Sequence, residues 1–198
     1  LIQVLMLPVL RALHREAPEV SIEFRQPSNS AATDLENGEV DFVVNPACFS
    51  SATQASAVLF RDHYTAVVAT DGADWPQALD LDAYRQARHV RMEANGRPLF
   101  ETWFLAEHGA LPPAEVVVNN FGLLPHLLPG TARVATLHTR MAQQIVAQWP
   151  GLRRLPLAFD TPQLDEMLQW HRYRDQDPAS QWLREKILSA AAALPPLD

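Results

Sequence analysis

The sequence predicts an α/β fold, because amphipathic helix patterns alternate with short apolar strand patterns along the whole chain. The first helix pattern is an apolar stripe at three- and four-residue spacing from Ile2 to Leu13, and Pro18 ends it. Hydrophobic residues make up 47% of the 198 residues and charged residues 20%, which is typical of a globular protein. Strands separated by helices favour parallel pairing, so we expect mostly parallel sheets.

The next elements are predicted from alternation and from turn residues. Residues 20–26 (VSIEFRQ) alternate like a strand, and Asn37-Gly38 ends a short helix that follows residues 28–30. Compact apolar runs predict further strands at residues 41–44, 58–60 and 64–69. A turn at residues 71–74 then marks a candidate boundary between two lobes.

Helix and strand patterns alternate again after this turn. The predicted helices span residues 79–86, 99–108, 121–128 and 139–148, and the predicted strands span residues 89–92, 116–118, 134–137, 152–157 and 164–170. Gly109 is the expected C-cap of the second of these helices. A final helix is expected from Pro178 to about Ala193, with Asp177 as its N-cap.

The charge balance argues against a nucleic-acid surface on this chain. The net charge is −7, from 16 basic and 23 acidic residues, and an acidic domain repels the phosphate backbone. The single lysine, Lys186, lies in the last predicted helix, where we expect a solvated salt bridge.

Common signatures of catalysis and cofactor binding are missing. The seven glycines form no GxGxxG, GxxxxGK or GxSxG pattern, and HExxH is also absent. The lone Cys48 permits neither an internal disulfide nor a CxxC site. His171 with Asp175 has too few neighbouring ligands for a metal. We therefore expect no enzyme, no metal and no cofactor.

No apolar run approaches the roughly 20 residues of a membrane span. The first residues also lack the basic region and the cleavage site of a signal peptide. The expected location is the cytoplasm.

Several motifs occur in a fixed order over nearly the whole chain. They are residues 7–18 (LPVLRALHREAP), 35–41 (LENGEVD), 59–60 (LF), 64–68 (YTAVV), 169–178 (QWHRYRDQDP) and 182–184 (WLR). In this order they resemble the effector-binding domain of LysR-type transcriptional regulators. The QWH…DP…WLR run is similar to the subgroup of nodulation and aromatic-degradation regulators.

The resemblance implies a fold like type 2 periplasmic binding proteins, with two Rossmann-like lobes joined by two crossover strands. Lobe I would comprise residues 1–70 and 162–198, lobe II residues 71–161, and a ligand cleft would lie between them. Two family features do not appear in this chain, the first strand and the N-terminal winged helix-turn-helix, so we expect a fragment of a regulator. The family's TxP motif here reads Thr136-Leu137-His138.

Candidate ligand residues follow from the rule that ligands bind at the carboxyl ends of strands in open α/β sheets. The residues at these positions are Ser28, Asn29, Ser30 and Asn45 in lobe I and Asn119, Asn120, Phe121 and His138 in lobe II. Each also has a structural alternative, namely a helix cap, a turn, a core ring or a surface histidine. A protonated His138 would pair with a carboxylate.

The resemblance predicts the effector-sensing and oligomerisation domain of a bacterial transcription factor. The effector would be a small anionic, aromatic molecule. The resemblance also implies a homodimer, or a tetramer at full length, and DNA contact only through the winged helix-turn-helix. The first alternative is a free-standing solute-binding protein of a transport system with the same fold. The second is an enzyme on the same scaffold, which would need converging acid–base residues.

Overall fold

The computed structural model describes residues 2–25, 30–93 and 99–197, apart from the side chains of residues 2 and 99. The chain divides into two units, Leu1–Asp62 with Leu164–Asp198, and His63–Gln163. It therefore passes between the units twice, after Asp62 and after Gln163. The sequence predicted lobe boundaries after residue 70 and before residue 162. In the structure the first boundary lies earlier in the chain, after Asp62.

The elements follow one another in the predicted alternating order. In chain order they are α1 (Leu7–Glu16), α2 (Ala31–Glu36), β1 (Val43–Pro46), β2 (Ala55–Asp62), β3 (Tyr64–Ala69), α3 (Leu81–Gln86), β4 (Arg88–Met92), α4 (Leu99–His108), β5 (Ala114–Val118), α5 (Leu124–Leu127), β6 (Arg133–His138), α6 (Thr139–Gln148), β7 (Leu152–Leu155), β8 (Leu164–Trp170) and α7 (Pro178–Ala192). A π-helical turn, Ile2–Met6, leads into α1.

Two predicted helix ends are confirmed, the C-terminus of α4 and the N-terminus of α7. Gly109 closes α4 with a φ of 75°, a left-handed conformation that glycine adopts without steric penalty. The Asp177 side chain accepts a hydrogen bond from the Ser180 amide at 2.8 Å and so caps α7. Within the described part of the chain, no helix has both the length and the apolarity needed to cross a membrane.

The first unit is built on a three-stranded sheet in the order β1-β8-β2. Its buried core joins the apolar stripe of the first helix to this sheet and to α7. The fully or nearly buried members are Leu5, Met6, Val9, Leu13, Leu59, Leu168, Trp170, Ile187 and Ala191. The predicted helix stripe is thus confirmed, since its residues fill the core of the unit.

The second unit is built on a five-stranded sheet in the order β5-β4-β6-β3-β7. Strand β4 pairs in parallel with both β5 and β6, whereas β3 is antiparallel to both β6 and β7. An aromatic core lies against this sheet, with Tyr84, Phe100 and Phe104 packed on the buried strand β3.

The prediction of mostly parallel sheets was wrong. Among the described strands, only the two pairs that contain β4 are parallel. The chain leaves the first unit through β2 and β3 and returns through β7 and β8, in the opposite direction. The outgoing and returning strands therefore pair antiparallel, β2 with β8 and β3 with β7.

The predicted strand at residues 20–26 is not formed over its described part, residues 20–25. Val20 is 50% exposed and Phe24 is 43% exposed. Alternation supplies the pattern of a strand, but a strand also needs a hydrogen-bonded neighbour. No described strand pairs with this segment, so it does not join a sheet.

The residues of the QWH…DP…WLR run hold α7 against the end of β8 in the first unit. The buried Trp170 indole donates from Nε1 to the Asp175 carboxylate at 2.6 Å. The Arg184 guanidinium lies over the Trp170 ring, 4.4 Å from its centroid, and 3.9 Å from the same carboxylate. The motif thus has a structural role, and His171 accepts from the Tyr173 amide beside it.

The expected salt bridge of Lys186 is confirmed. Its ammonium group pairs with Glu16 at the end of α1 and lies 5.4 Å from the centroid of the Trp182 ring. The pair links the first and last helices of the unit.

A buried carboxyl group lies on the central strand of the first unit. Glu166 on β8 is 5% exposed, and burial, reinforced by the nearby Asp62 carboxylate, raises its pKa to about 7. In the folded state Glu166 therefore keeps its proton up to a pH at which an ordinary glutamate is ionised.

We predict that Asp175→Ala lowers the free energy of unfolding by about 1–3 kcal/mol, because it leaves the buried Trp170 N–H without an acceptor. Urea denaturation followed by circular dichroism measures the change. The control is Glu185→Gln at an exposed position of α7, which should leave the unfolding midpoint unchanged. Equal unfolding midpoints for the two variants would contradict a stabilising role of the Asp175–Trp170 hydrogen bond.

We predict that Glu166→Gln raises the free energy of unfolding at pH 8 by on the order of 2 kcal/mol. The pKa of Glu166 is about 7 in the fold against an ordinary 4.5, so between these pH values the folded protein keeps a proton that the unfolded chain has released. This proton stabilises the fold, and the stabilisation is lost as the pH rises from 4.5 through 7. Denaturation at pH 4.5 and pH 8 should show the gain only at the higher pH. Glu19→Gln, at an exposed position, should show no such difference.

Candidate functional site

The carboxyl ends of three strands meet at one edge of the second unit's sheet. Met92 lies opposite Val118 in the parallel β4–β5 pair, and Val90 lies opposite Ala135 in the parallel β4–β6 pair. The Glu93 amide continues the ladder by donating to the Val118 carbonyl at 2.8 Å. The residues that follow these strands are therefore neighbours, as the rule for open α/β sheets requires.

Strand β6 leads directly into α6 at this edge. His138 is the last residue of β6 and the N-cap of α6, without a capping hydrogen bond from its side chain. Thr139 fixes the junction, because its amide and its hydroxyl both donate to the His63 carbonyl, at 2.9 and 3.1 Å. The positive end of the α6 dipole lies here, and the first turn carries no acidic residue.

Two aromatic rings surround the His138 imidazole. The Tyr64 ring lies edge-on with its centroid 5.2 Å away, and the Phe121 centroid is 6.1 Å away. Burial lowers the pKa of His138, so the imidazole is neutral at neutral pH. The residue can therefore donate or accept a hydrogen bond, but it does not supply the positive charge that the sequence suggested.

The two asparagines after β5 have different surroundings. The Asn120 side chain accepts from the Gly122 amide at 2.7 Å and caps the short turn that begins at Phe121. Asn119 is exposed at the end of the strand, and Phe121 is partly buried. Asn119 is thus an exposed residue directly after β5, while Asn120 shapes the backbone that carries Phe121.

Of the predicted site residues of the first unit, those that the structure describes form hydrogen bonds within their own segments. Ser28 and Asn29 lie outside the described residues. Ser30 precedes α2, and its hydroxyl donates to the Asp34 carboxylate at 3.1 Å. Asn45 lies within β1 and not after it, and it is buried. Its amide donates to the Phe49 carbonyl at 2.9 Å and accepts from the Ser50 hydroxyl at 3.0 Å, so it holds its own loop.

Sequence reasoning did not identify Tyr64 or Arg91 as residues of the candidate site. Tyr64 reaches the edge because it lies directly opposite His138 in the antiparallel β3–β6 pair. Arg91 and Glu93 form an ion pair with 3.6 Å between Nη1 and Oε1. The cross-strand partner of His138 depends on a register that the sequence does not display.

The arrangement is suited to binding through rings and hydrogen bonds. It combines the exposed Asn119 at the end of β5 with a neutral imidazole and the half-buried Phe121 ring at the N-terminus of α6, and the buried Tyr64 ring packs against the imidazole. No group of three or more His, Cys, Asp or Glu residues within the described ranges is placed to hold a metal ion.

Comparison with known proteins shows what the chain is similar to. The family described as the LysR substrate binding domain matches residues 1–192. Nodulation protein D 3 of Mesorhizobium japonicum is 34% identical over 94% of this chain and 62% of its own length. Nodulation protein D 1 of Sinorhizobium fredii is 36% identical over 90% of this chain and 56% of its own length.

A solved structure agrees with these relatives. The regulatory domain of MexT, a transcriptional activator in Pseudomonas aeruginosa, superposes with a TM-score of 0.79 at 27% identity. The match covers 95% of this chain and 94% of that domain. The chain spans about 60% of the length of the curated relatives it matches, with 62%, 59% and 60% for three of them. A family match over nearly all of the chain, relatives above 30% identity and a shared fold lead to one conclusion: the chain belongs to the LysR substrate-binding domain family.

Proposed function

We propose that this chain is the effector-sensing domain of a LysR-type transcriptional regulator. The observation that carries the proposal is the set of Asn119, Phe121, His138 and Tyr64 at the carboxyl edge of the second unit's sheet. The relatives named nodulation protein D, and the MexT domain that belongs to a transcriptional activator, support the regulatory role.

The effector acts by being bound, without a chemical step. A small molecule that binds one conformation of the domain more tightly than another shifts the population toward that conformation. The shift is transmitted to DNA-binding domains elsewhere in the full-length regulator, and its size equals the difference in binding free energy between the two states. The net charge of −7 fits a domain that leaves DNA contact to another part of the protein.

An aromatic ring is the ligand group that this edge suits best. The Tyr64, Phe121 and His138 rings offer edge and face contacts, which contribute about 0.5–1.5 kcal/mol per pair beyond simple burial. The α6 N-terminus favours a negatively charged group on the ligand, as the sequence suggested. The neutral His138 and the nearby Glu93 add no positive charge, so hydrogen-bonding groups on the ring matter as well.

We predict that Phe121→Ala and His138→Ala each weaken effector binding at least about tenfold, equivalent to about 1.4 kcal/mol. Calorimetric titration of the wild-type domain with benzoate, salicylate, benzamide and salicylamide first identifies a ring that binds. The acid–amide pairs then separate the contribution of charge from that of the ring.

Phe49→Ala serves as the control, because Phe49 is an exposed ring in the first unit. Unchanged affinity in the Phe121 and His138 variants would place the ligand elsewhere. Absence of binding by all four compounds would remove the simple aromatic ligands from the proposal.

A homodimer is the oligomer that we propose, with α1 of one chain antiparallel to α4 of the other. In LysR-type regulators a first helix and a helix of the second lobe pair in this way. Both helices expose a large apolar side chain here, since Leu7 on α1 is 45% exposed and Leu105 on α4 is 48% exposed. Exposed apolar side chains on two helices are expected where a second copy binds.

We predict that Leu105→Glu converts the dimer to a monomer, because it places a charge in an apolar interface. Sedimentation velocity at micromolar concentration measures the state. Leu123→Glu is the control, since Leu123 is 45% exposed but lies outside both helices. A monomeric wild type, or a dimer that survives the Leu105 change, would rule out this interface.

A free-standing solute-binding protein remains the alternative with the same fold. The curated relatives and the MexT domain favour the regulator over this alternative. We propose a cytoplasmic location, because a regulator acts on DNA. The coding sequence upstream of residue 1 tests both points, since an in-frame helix-turn-helix segment supports the regulator and a secretion signal supports the alternative.

A further inference from the structure

Thr139 is a buried polar residue at the carboxyl edge of the second unit's sheet. It is 1% exposed and begins α6 directly after His138, the last residue of β6. Its backbone amide and its side-chain hydroxyl both donate to the His63 carbonyl, at 2.9 and 3.1 Å. One carbonyl oxygen can accept both bonds, because it carries two lone pairs. The start of α6 is therefore held twice to the residue that precedes β3.

The two bonds have different origins. Tyr64 lies opposite His138 in the antiparallel β3–β6 pair, so His63 lies opposite Thr139, and the amide bond continues that ladder by one residue pair. Any residue except proline supplies such an amide bond, whereas the second bond comes from the threonine side chain. The hydroxyl bond is thus a specific contribution of Thr139 to this edge.

The hydroxyl bond stands in for a helix cap. The N-cap of α6 is His138, and its side chain makes no capping hydrogen bond. In many helices an N-cap serine, threonine, aspartate or asparagine fixes the first turn through its side chain. Here Thr139 does so from the next position, by binding the backbone just before β3. The backbone of His138 is therefore fixed on its C-terminal side by Thr139 and within the sheet by its pairing with Tyr64.

The direction of the His138 imidazole matters for binding. Burial lowers the pKa of His138, so the ring is neutral at neutral pH, with one nitrogen that donates and one that accepts. Such a ring recognises a ligand group only when the correct nitrogen faces it. Its centroid is 5.2 Å from that of Tyr64 and 6.1 Å from that of Phe121. A rotation of the His138 backbone would change both ring contacts.

We propose that Thr139 is a positioning residue of the candidate ligand site, whose hydroxyl bond to the His63 carbonyl sets the direction of the His138 imidazole. Thr139 acts through His138 and the start of α6, without contact to the ligand. Its importance for binding rests on the proposed function, whereas its effect on His138 does not.

The first test needs no ligand and uses NMR of the purified protein. The ring signals of His138 are sensitive to the neighbouring Tyr64 and Phe121 rings, and the spectrum of His138→Ala identifies them. Thr139→Val keeps the shape of the side chain but removes the hydroxyl, so we expect the His138 signals to move. Thr139→Ser keeps the hydroxyl and should leave these signals in place.

Thr131→Val is the matched control, because the Thr131 hydroxyl also donates to a backbone carbonyl, that of Leu128 at 2.8 Å. Thr131 precedes β6, so its bond lies at the opposite end of that strand. The change should lower the stability comparably without moving the His138 signals. Thermal unfolding followed by circular dichroism compares the stabilities. If Thr139→Val does not fold, Thr139→Ala removes the same hydroxyl with less bulk and is measured in its place.

Two outcomes overturn the positioning role. One is a set of His138 signals that stays unchanged when the Thr139 hydroxyl is removed. The other is a displacement of equal size in Thr131→Val or in Thr139→Ser, which would show that the hydroxyl bond is not the cause.

Calorimetric titration with salicylate and salicylamide then tests the link to binding. Thr139→Val should weaken the affinity for the compound that binds by about three- to tenfold, the scale of one hydrogen bond. Thr139→Ser should match the wild type. Equal affinity in Thr139→Val and the wild type refutes the link to the ligand. Where neither compound binds, the proposed aromatic ligand fails, while the NMR result still decides the effect of Thr139 on His138.

Discussion

The parallel pairing of β4 with both β5 and β6 is the constraint on which the candidate site depends. It aligns three carboxyl ends at one edge, so that the segment with Asn119 and Phe121 begins at the same edge as His138, and the Phe121 and His138 rings meet. The antiparallel addition of β3 then places Tyr64 opposite His138. A slip of one residue in any of these pairings would turn the side chains to the other face and dismantle the site.

Antiparallel pairing has a different role, which is to join the outgoing and returning strands within each unit. Strand β8 lies at the centre of the first unit's sheet and hydrogen-bonds on both sides, to β1 and β2. The indole of Trp170 at its end is fixed by Asp175 and covered by Arg184. The most specific motif of the sequence therefore stabilises the fold of the first unit, and the proposed ligand-binding residues lie outside that motif.

Local patterns predicted what depends on local physics. The Asp177 cap, the Gly109 terminus and the helix stripe that contains Leu5 and Leu13 were all readable, because each depends on residues a few positions apart. The strand at residues 20–26 and the mostly parallel sheets were wrong, since pairing joins distant segments. Tyr64 was missed for the same reason, because its place opposite His138 depends on a register that only the folded chain shows.

The electrostatics of the second unit favour recognition by shape and hydrogen bonding over recognition by charge. Burial keeps the His138 imidazole neutral and raises the pKa of the Glu101 carboxyl to about 7, while Arg91 pairs with Glu93 and donates to a backbone carbonyl. A buried charge without a partner is expensive, so a domain that must bind and release a ligand gains little from one. Neutral polar groups among aromatic rings discriminate between ligands through the groups left unpaired when the fit is wrong.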